Sequence, residues 1–334
     1  MFIDIHAHVY RVKTKIPGAV EFCNPKELLK RYDELKIDSG VLLPIVNPEI
    51  YLPQAVEDIL EICAAYPDRF IPYCNVDPRC STNSPTAPLD KILHYYKEQG
   101  CKGVGEVMPN LELMDPKVQN LFACAEKEEL PIVFDGSVQK SGDFGLYDDP
   151  GLPQLEYTLQ DFPKLKVFGH GPVFWNEIAR LETVGERGVY WGHRGQCVHL
   201  PKGPIAEEGA AVKLLRKYDN LYGDLSDCTA YNALTRDADY GHRFLSEFED
   251  KLYFGTDMVS PDMYVGLDEL LVSWRQQGKI SETTFRKIAY DNAAALLGVS
   301  LWLLVMILAR HCVGWELLPA IFVCFIPLIK VWGR

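Results

Sequence analysis

Seven short apolar runs punctuate this chain, at residues 41–43, 70–73, 103–107, 132–134, 167–168, 221–225 and 252–254, after an eighth that opens it at Phe2-Ile3-Asp4-Ile5. Amphipathic helical patterns lie among them, at 25–35, 54–66, 89–99, 116–128, 152–161 and 210–218. Continuous apolar strands that alternate with helices predict a parallel sheet covered on its outer face. Eight such units in about 260 residues predict a (β/α)8 barrel rather than an open doubly wound sheet. No Gly-x-Gly-x-x-Gly follows a strand, which argues against a dinucleotide-binding fold.

In such a barrel the carboxyl ends of the strands converge on one face, and chemistry sits there. The polar residue that ends each strand is therefore informative. Strand one runs into His6-Ala7-His8; two residues apart, the imidazoles share one face of a strand and form half of a metal site. By itself, so short a pattern describes equally well two polar residues where a strand becomes a loop. Strand four ends at Glu106, strand five at Asp135, strand six at His170, strand seven at Asp224 and strand eight at Asp257. Strands two and three end otherwise, at Pro44 and in the stretch Asn75-Val76-Asp77.

This order resembles the amidohydrolase superfamily, and within it the amidohydrolase-related group that includes aminocarboxymuconate semialdehyde decarboxylase. Similar stretches are Asp4-Ile5-His6-Ala7-His8, Phe168-Gly169-His170-Gly171, the segment from Asn220 to Ser226, Gly255-Thr256-Asp257 and the closing segment from Asp291 to Gly298. The resemblance covers residues 1–298 and implies a metal-dependent barrel. It implies His6, His8, His170, Asp257 and Glu106 as metal ligands, with Asp257 and His170 catalytic. Asp135 departs from the pattern, because the family usually has histidine on strand five. A carboxylate still ligates zinc or a harder ion, so Asp135 and Asp224 are expected as additional ligands or as hydrogen-bond partners of the ligands.

The residue types suit the chemistry. Histidine and carboxylate donors hold a divalent ion while leaving a position open for water; zinc is the expected ion, with manganese and iron as alternatives. The ion lowers the water's pKa and polarises a substrate oxygen, and Asp257 suits general-base work on that water. Each assignment has a plainer counterpart: His170 as a core histidine at a helix start, Asp257 as an N-cap, Glu106 as a hydrogen-bond acceptor only. Hydrolysis of a small-molecule amide, ester or lactone is the first expectation. Non-oxidative decarboxylation of a small carboxylic acid is the alternative, and a non-catalytic tethered binding protein is the alternative of another class.

The stretch from Val173 to Gly209 is the longest interruption and reads as a lid or specificity loop. It carries Trp175, Trp191, His193, Arg194, His199 and Lys202. Arg194 and His193, with Arg236 after strand seven, are the expected substrate-binding residues, since arginine pairs bidentately with a carboxylate. A solvated loop with incidental charge is the competing reading.

Beyond residue 298 the composition changes. Residues 299–334 are apolar almost throughout, interrupted by Arg310, Glu316, Pro319 and Pro327, and each run falls short of the roughly 20 residues of a spanning helix. The tail reads as an imperfect anchor, an interfacial hairpin or a surface that docks on a second copy of the chain. For the body, a net charge of −12 disfavours nucleic acid and anionic membrane as partners. Ten scattered cysteines without Cys-x-x-Cys spacing, and no basic start followed by an apolar leader, suggest a reducing, cytoplasmic setting.

Overall fold

The computed structural model describes residues 1–13, 21–50, 52–181, 183–187, 190–191, 197–198, 200–263 and 265–299. Eight parallel strands organise them: β1 (Phe2–Ala7), β2 (Ile37–Leu42), β3 (Phe70–Pro72), β4 (Val104–Val107), β5 (Ile132–Ser137), β6 (Val167–His170), β7 (Leu221–Asp224) and β8 (Leu252–Tyr253). β1, β2 and β3 pair in that order, and β4 through β8 pair in chain order. Two parallel bridges join these sheets edge to edge, Cys74 with Val104 and Ala7 with Met258. The backbone hydrogen bonds Gly105 N–H to Cys74 O (2.9 Å) and His8 N–H to Met258 O (3.0 Å) reinforce them. The result is the expected (β/α)8 barrel.

Helices α1 (Pro25–Leu35), α2 (Val56–Ala65), α3 (Leu89–Glu98), α4 (Pro116–Lys127), α5 (Pro153–Asp161) and α7 (Ala210–Lys217) fall on the predicted amphipathic stretches. Local chemistry starts and stops them. Asn24 caps α1 through Lys26 N–H and Glu27 N–H, Glu27 returns the bond to Asn24 N–H, and Pro25 takes the first turn, where its missing N–H costs nothing. Lys36 then adopts φ 59°, in the left-handed region, and throws the chain directly into β2. That turn is why β2 begins at Ile37 and not at residue 41: polar Asp38 and Ser39 interrupt the apolar signal of an ordinary strand.

Between β6 and β7 the structure corrects the reading of one continuous loop. Gly171–Asn176 forms α6, and its Trp175 is fully buried in the core with Phe174. Trp191 closes a two-residue hairpin, Tyr190–Trp191 against Cys197–Val198. Helices α8 (Asp227–Thr235) and α9 (Ala238–Glu247) follow β7, and α10 (Leu267–Gln276), α11 (Glu282–Arg286) and α12 (Asn292–Leu297) follow β8. Among the cysteines, Cys23, Cys63, Cys74, Cys101 and Cys124 are buried free thiols and Cys80 an exposed one. Cys228 departs from the expected thiol chemistry, being disulfide-bonded.

The chain divides into a unit from Met1 to Ala293 and another from Ala294 to Arg334. The apolar tail lies outside the described residues from residue 300 onward. Among the described residues no helix is long and apolar enough to cross a membrane.

Candidate metal centre

The carboxyl end of β1 sets the centre. The β1–β2 register shifts between Asp4 and Ala7, where His6 sits, and the Nε2 atoms of His6 and His8 come to 3.0 Å of each other. Each ring is held from behind. His6 Nδ1 bonds to Asp224 Oδ2 at 2.6 Å, and His8 Nδ1 donates to the Leu43 carbonyl at 2.9 Å. With Nδ1 engaged from behind, both rings turn Nε2 inward, the usual arrangement for a ligating histidine. His170, at the end of β6, bonds through Nδ1 to Ser226 Oγ at 3.0 Å, leaving its Nε2 inward too.

Two carboxylates meet these nitrogens. Glu106 Oε2 lies 3.5 Å from His6 Nε2 and 3.4 Å from His8 Nε2, and its Oε1 lies 3.6 Å from His170 Nε2. Asp257 Oδ1 is 3.5 Å from both His6 Nε2 and His8 Nε2, and its Oδ2 is 4.0 Å from His170 Nε2. All five side chains are buried. Donors bound about 2.1 Å from one ion stand about 3.0–3.4 Å apart in octahedral or tetrahedral geometry. The observed spacing approaches that, and His6–His8–Asp257 and His6–Glu106–His170 each bring their donor atoms within 4.8 Å of one another. The donor set therefore fits a divalent cation.

The electrostatics point the same way. Burial opposes a charge on His6, yet Asp224 and Glu106 beside it hold its pKa well above the ordinary value. His8 is pushed up to about 9, burial again being outweighed by Asp257 and Glu106. Burial would raise Glu106, but His6, His8 and His170 hold it below the usual carboxylate range. Burial would likewise raise Asp224, and His6 holds it down. A buried pocket that draws protons onto its histidines is one whose carboxylates demand positive charge.

Asp224, the last residue of β7, and Ser226, on the turn after it, orient two imidazoles from one segment. Asp224 Oδ2 is also 3.6 Å from His170 Nδ1, its Oδ1 accepts Ser226 N–H at 3.0 Å, and its carbonyl accepts Trp175 Nε1–H at 2.8 Å. A Cβ on Gly255 would stand 2.8 Å from Ser226 Cβ and 2.9 Å from Asp224 Oδ1, so this packing requires glycine there.

Asp135 behaves differently. It is buried beside His170 across the β5–β6 pair, and its Oδ1 has no hydrogen-bond partner among the described residues. Burial, then the nearby carboxylates of Glu106, Asp227, Asp143 and Asp257, push its pKa well above the ordinary value. Its carboxyl favours the protonated form more than an ordinary aspartate does, and it lies outside the groups whose donor atoms meet.

Asp227, which no strand-end pattern announces, brings its donor oxygen within 4.8 Å of the donor atoms of His170 and Asp257. It stands three residues beyond Asp224 with φ 72°, a left-handed conformation rare for a non-glycine residue. A carboxylate on the same strand-to-helix turn was the available signal. Arg236 ends α8, where its Nε donates to the Gly203 carbonyl at 3.0 Å, away from the central cluster's hydrogen bonds. Lys202 is exposed, and His193, Arg194 and His199 lie outside the described residues.

Residues 3–299 match the model of a family described as Amidohydrolase. None of the curated proteins compared matches the chain. Among solved structures it is similar to an uncharacterized TIM-barrel protein from Bordetella bronchiseptica, at 15% identity and TM-score 0.58 over 89% of this chain and 98% of that one. It is also similar to a probable 2-pyrone-4,6-dicarboxylic acid hydrolase from Acinetobacter baumannii with citric acid bound, at 17% identity and TM-score 0.53 over 89% and 99%. A third is 5-carboxyvanillate decarboxylase from Sphingomonas paucimobilis, at 12% identity and TM-score 0.51 over 90% and 99%. At these identities the likeness is one of fold.

Proposed function

This chain belongs to the amidohydrolase family, and from that premise we propose that it is a metal-dependent hydrolase of a small-molecule amide, ester or lactone. One observation carries the reading: His6, His8, Glu106, His170 and Asp257 direct buried donor atoms at one point from the carboxyl ends of four different strands and their following turns. His6, His8 and Asp257 would hold the ion, with Glu106 and His170 closing its other side. When bound, a divalent ion supplies Lewis acidity toward a substrate oxygen and makes coordinated water more acidic. Zinc suits this mixed imidazole and carboxylate set, and manganese or iron suits it as well.

The chain's own residues do the rest. Asp257, its Oδ1 against two imidazoles and its Oδ2 toward His170, is placed to take the proton of an attacking water. His170, kept in one orientation by Ser226, holds Nε2 on the side of the ion where the substrate oxygen would be polarised. Burial of all five groups excludes bulk water, which strengthens each of these contacts.

The buried, unpartnered Oδ1 of Asp135, beside His170, supports a second reading, decarboxylation of a small carboxylic acid. That reaction protonates substrate carbon before carbon dioxide leaves, and a carboxyl whose pKa is raised by burial and by neighbouring carboxylates suits the task. Both readings accommodate a carboxylate-bearing substrate, as the names of the hydrolase and decarboxylase neighbours suggest.

Metal content of the purified protein tests the first step. About one divalent ion per chain, lost in His6→Ala and Asp257→Asn, is expected; no ion after anaerobic reconstitution with zinc, manganese or iron would remove the enzyme reading. A panel of lactones, amides and aromatic carboxylic acids, scored for ring or amide opening against carbon dioxide release, separates the two reactions.

A further inference from the structure

One buried carboxylate stands just outside the donor set and touches the backbone on both sides of it. Asp4 is fully buried, and its two oxygens accept four hydrogen bonds. Oδ1 takes the N–H groups of His6 and Thr256, each at 2.9 Å. Oδ2 takes the hydroxyls of Thr256 at 2.6 Å and Tyr32 at 2.8 Å. The Thr256 hydroxyl in turn accepts Met258 N–H at 3.1 Å. One side chain of β1 thus fixes the residue before Asp257 and, through Thr256, the residue after it.

Asp257 needs such fixing. Its φ is 49°, a conformation that a non-glycine side chain adopts at a cost unless its surroundings impose it. Its N–H donates to the carbonyl of His6 at 2.8 Å, so the two donors share a backbone bond as well. Tyr32 reaches Asp4 only because residue 40 is glycine: a Cβ there would lie 2.1 Å from the Tyr32 hydroxyl oxygen.

Given the metal centre proposed above, on which this rests, we infer that Asp4 with Thr256 is a positioning pair. Through four hydrogen bonds it sets the 3.5 Å spacing between His6 Nε2 and Asp257 Oδ1. A carboxylate that merely sealed the β1–β8 seam would stabilise the fold without tuning the ion's surroundings; a positioning carboxylate does both.

Cobalt(II) separates these roles, since its visible absorption reports ligand geometry and its dissociation constant is measurable by chelator competition. Thr256→Val keeps the side-chain shape and removes the hydroxyl, whereas Thr256→Ser keeps the hydroxyl. The expected result is cobalt binding weakened about tenfold or more in Thr256→Val, with an altered visible band, and restored in Thr256→Ser. Unchanged affinity and spectrum in a Thr256→Val protein that merely melts earlier would overturn the inference, while loss of cobalt in Asp257→Asn would leave the metal centre standing. Wild-type protein that binds no cobalt, zinc or manganese would defeat both. If Thr256→Val does not fold, Tyr32→Phe reads the same network, and unchanged cobalt affinity and spectrum there overturn the inference.

Discussion

Asp224 Oδ2 accepts from His6 Nδ1 at 2.6 Å, joining the first strand of the barrel to the seventh across 218 residues of sequence. A carboxylate behind a ligating imidazole fixes its tautomer and raises its basicity. Asp224→Asn keeps the shape and removes the charge, so affinity for a divalent ion should fall about tenfold to a hundredfold. Chelator competition measures it; unchanged affinity would reduce Asp224 to a packing contact.

Gly171 meets two demands at once. Its φ is 77°, and a Cβ on it would lie 1.8 Å from Asp135 Oδ1. Gly171→Ala should therefore destabilise the fold by about 2 kcal/mol or more. Adding Asp135→Ala removes the clash but not the dihedral strain, so the double variant should recover about 1 kcal/mol. Urea unfolding of the four proteins gives the coupling, and strict additivity would show that the clash relaxes freely.

Asp135→Asn addresses the same neighbourhood from the ionic side. Burial beside four carboxylates raises this acid's pKa and disfavours its charge, so a neutral amide should leave metal content unchanged within about twofold. Asp257→Asn should lose the ion. Loss of the ion in both would make Asp135 a ligand after all.

A pH effect follows from Asp148, whose oxygens accept Gln154 N–H at 3.0 Å and Leu155 N–H at 2.9 Å at the start of α5. Burial pushes its pKa up to about 6, these amides pulling only partly back. The folded protein thus binds this proton more tightly than the unfolded chain. The group's contribution is fully present below about pH 4 and lost as pH rises toward 6 and beyond. Between pH 4 and 7 the stability of Asp148→Asn should gain on wild type by on the order of 2 kcal/mol. Urea titrations across that range check the sign, and a difference independent of pH would refute the shift.

The residues closing the strands were legible because barrel geometry brings every strand's carboxyl end to one place, so His6, His8, Glu106, His170 and Asp257 could be read off in order. Asp227 was not, because its reach depends on a left-handed turn that no periodicity announces. The Asp4–Thr256 contact was hidden for a related reason: it crosses the barrel seam, and nothing local in either stretch signals the other. Helix α8 escaped notice because Thr229, Ala230, Ala233 and Leu234 are buried while Tyr231 and Asn232 are half-buried, which blurs the polar face of an amphipathic pattern. Arg236 looked close to the mouth in sequence because it follows β7, yet α8 stands between them and carries it to Gly203.

The seam between β1 and β8 also dictates an order of events during synthesis. His6 and His8 leave the ribosome some 250 residues ahead of Asp257 and the Thr256 that braces it. A nascent chain stopped before β8 carries both histidines and Glu106 but lacks Asp257 and the wall that closes the ring. Full ion capture therefore waits for ring closure, and a metal that reaches the growing chain early finds a donor set without its last carboxylate.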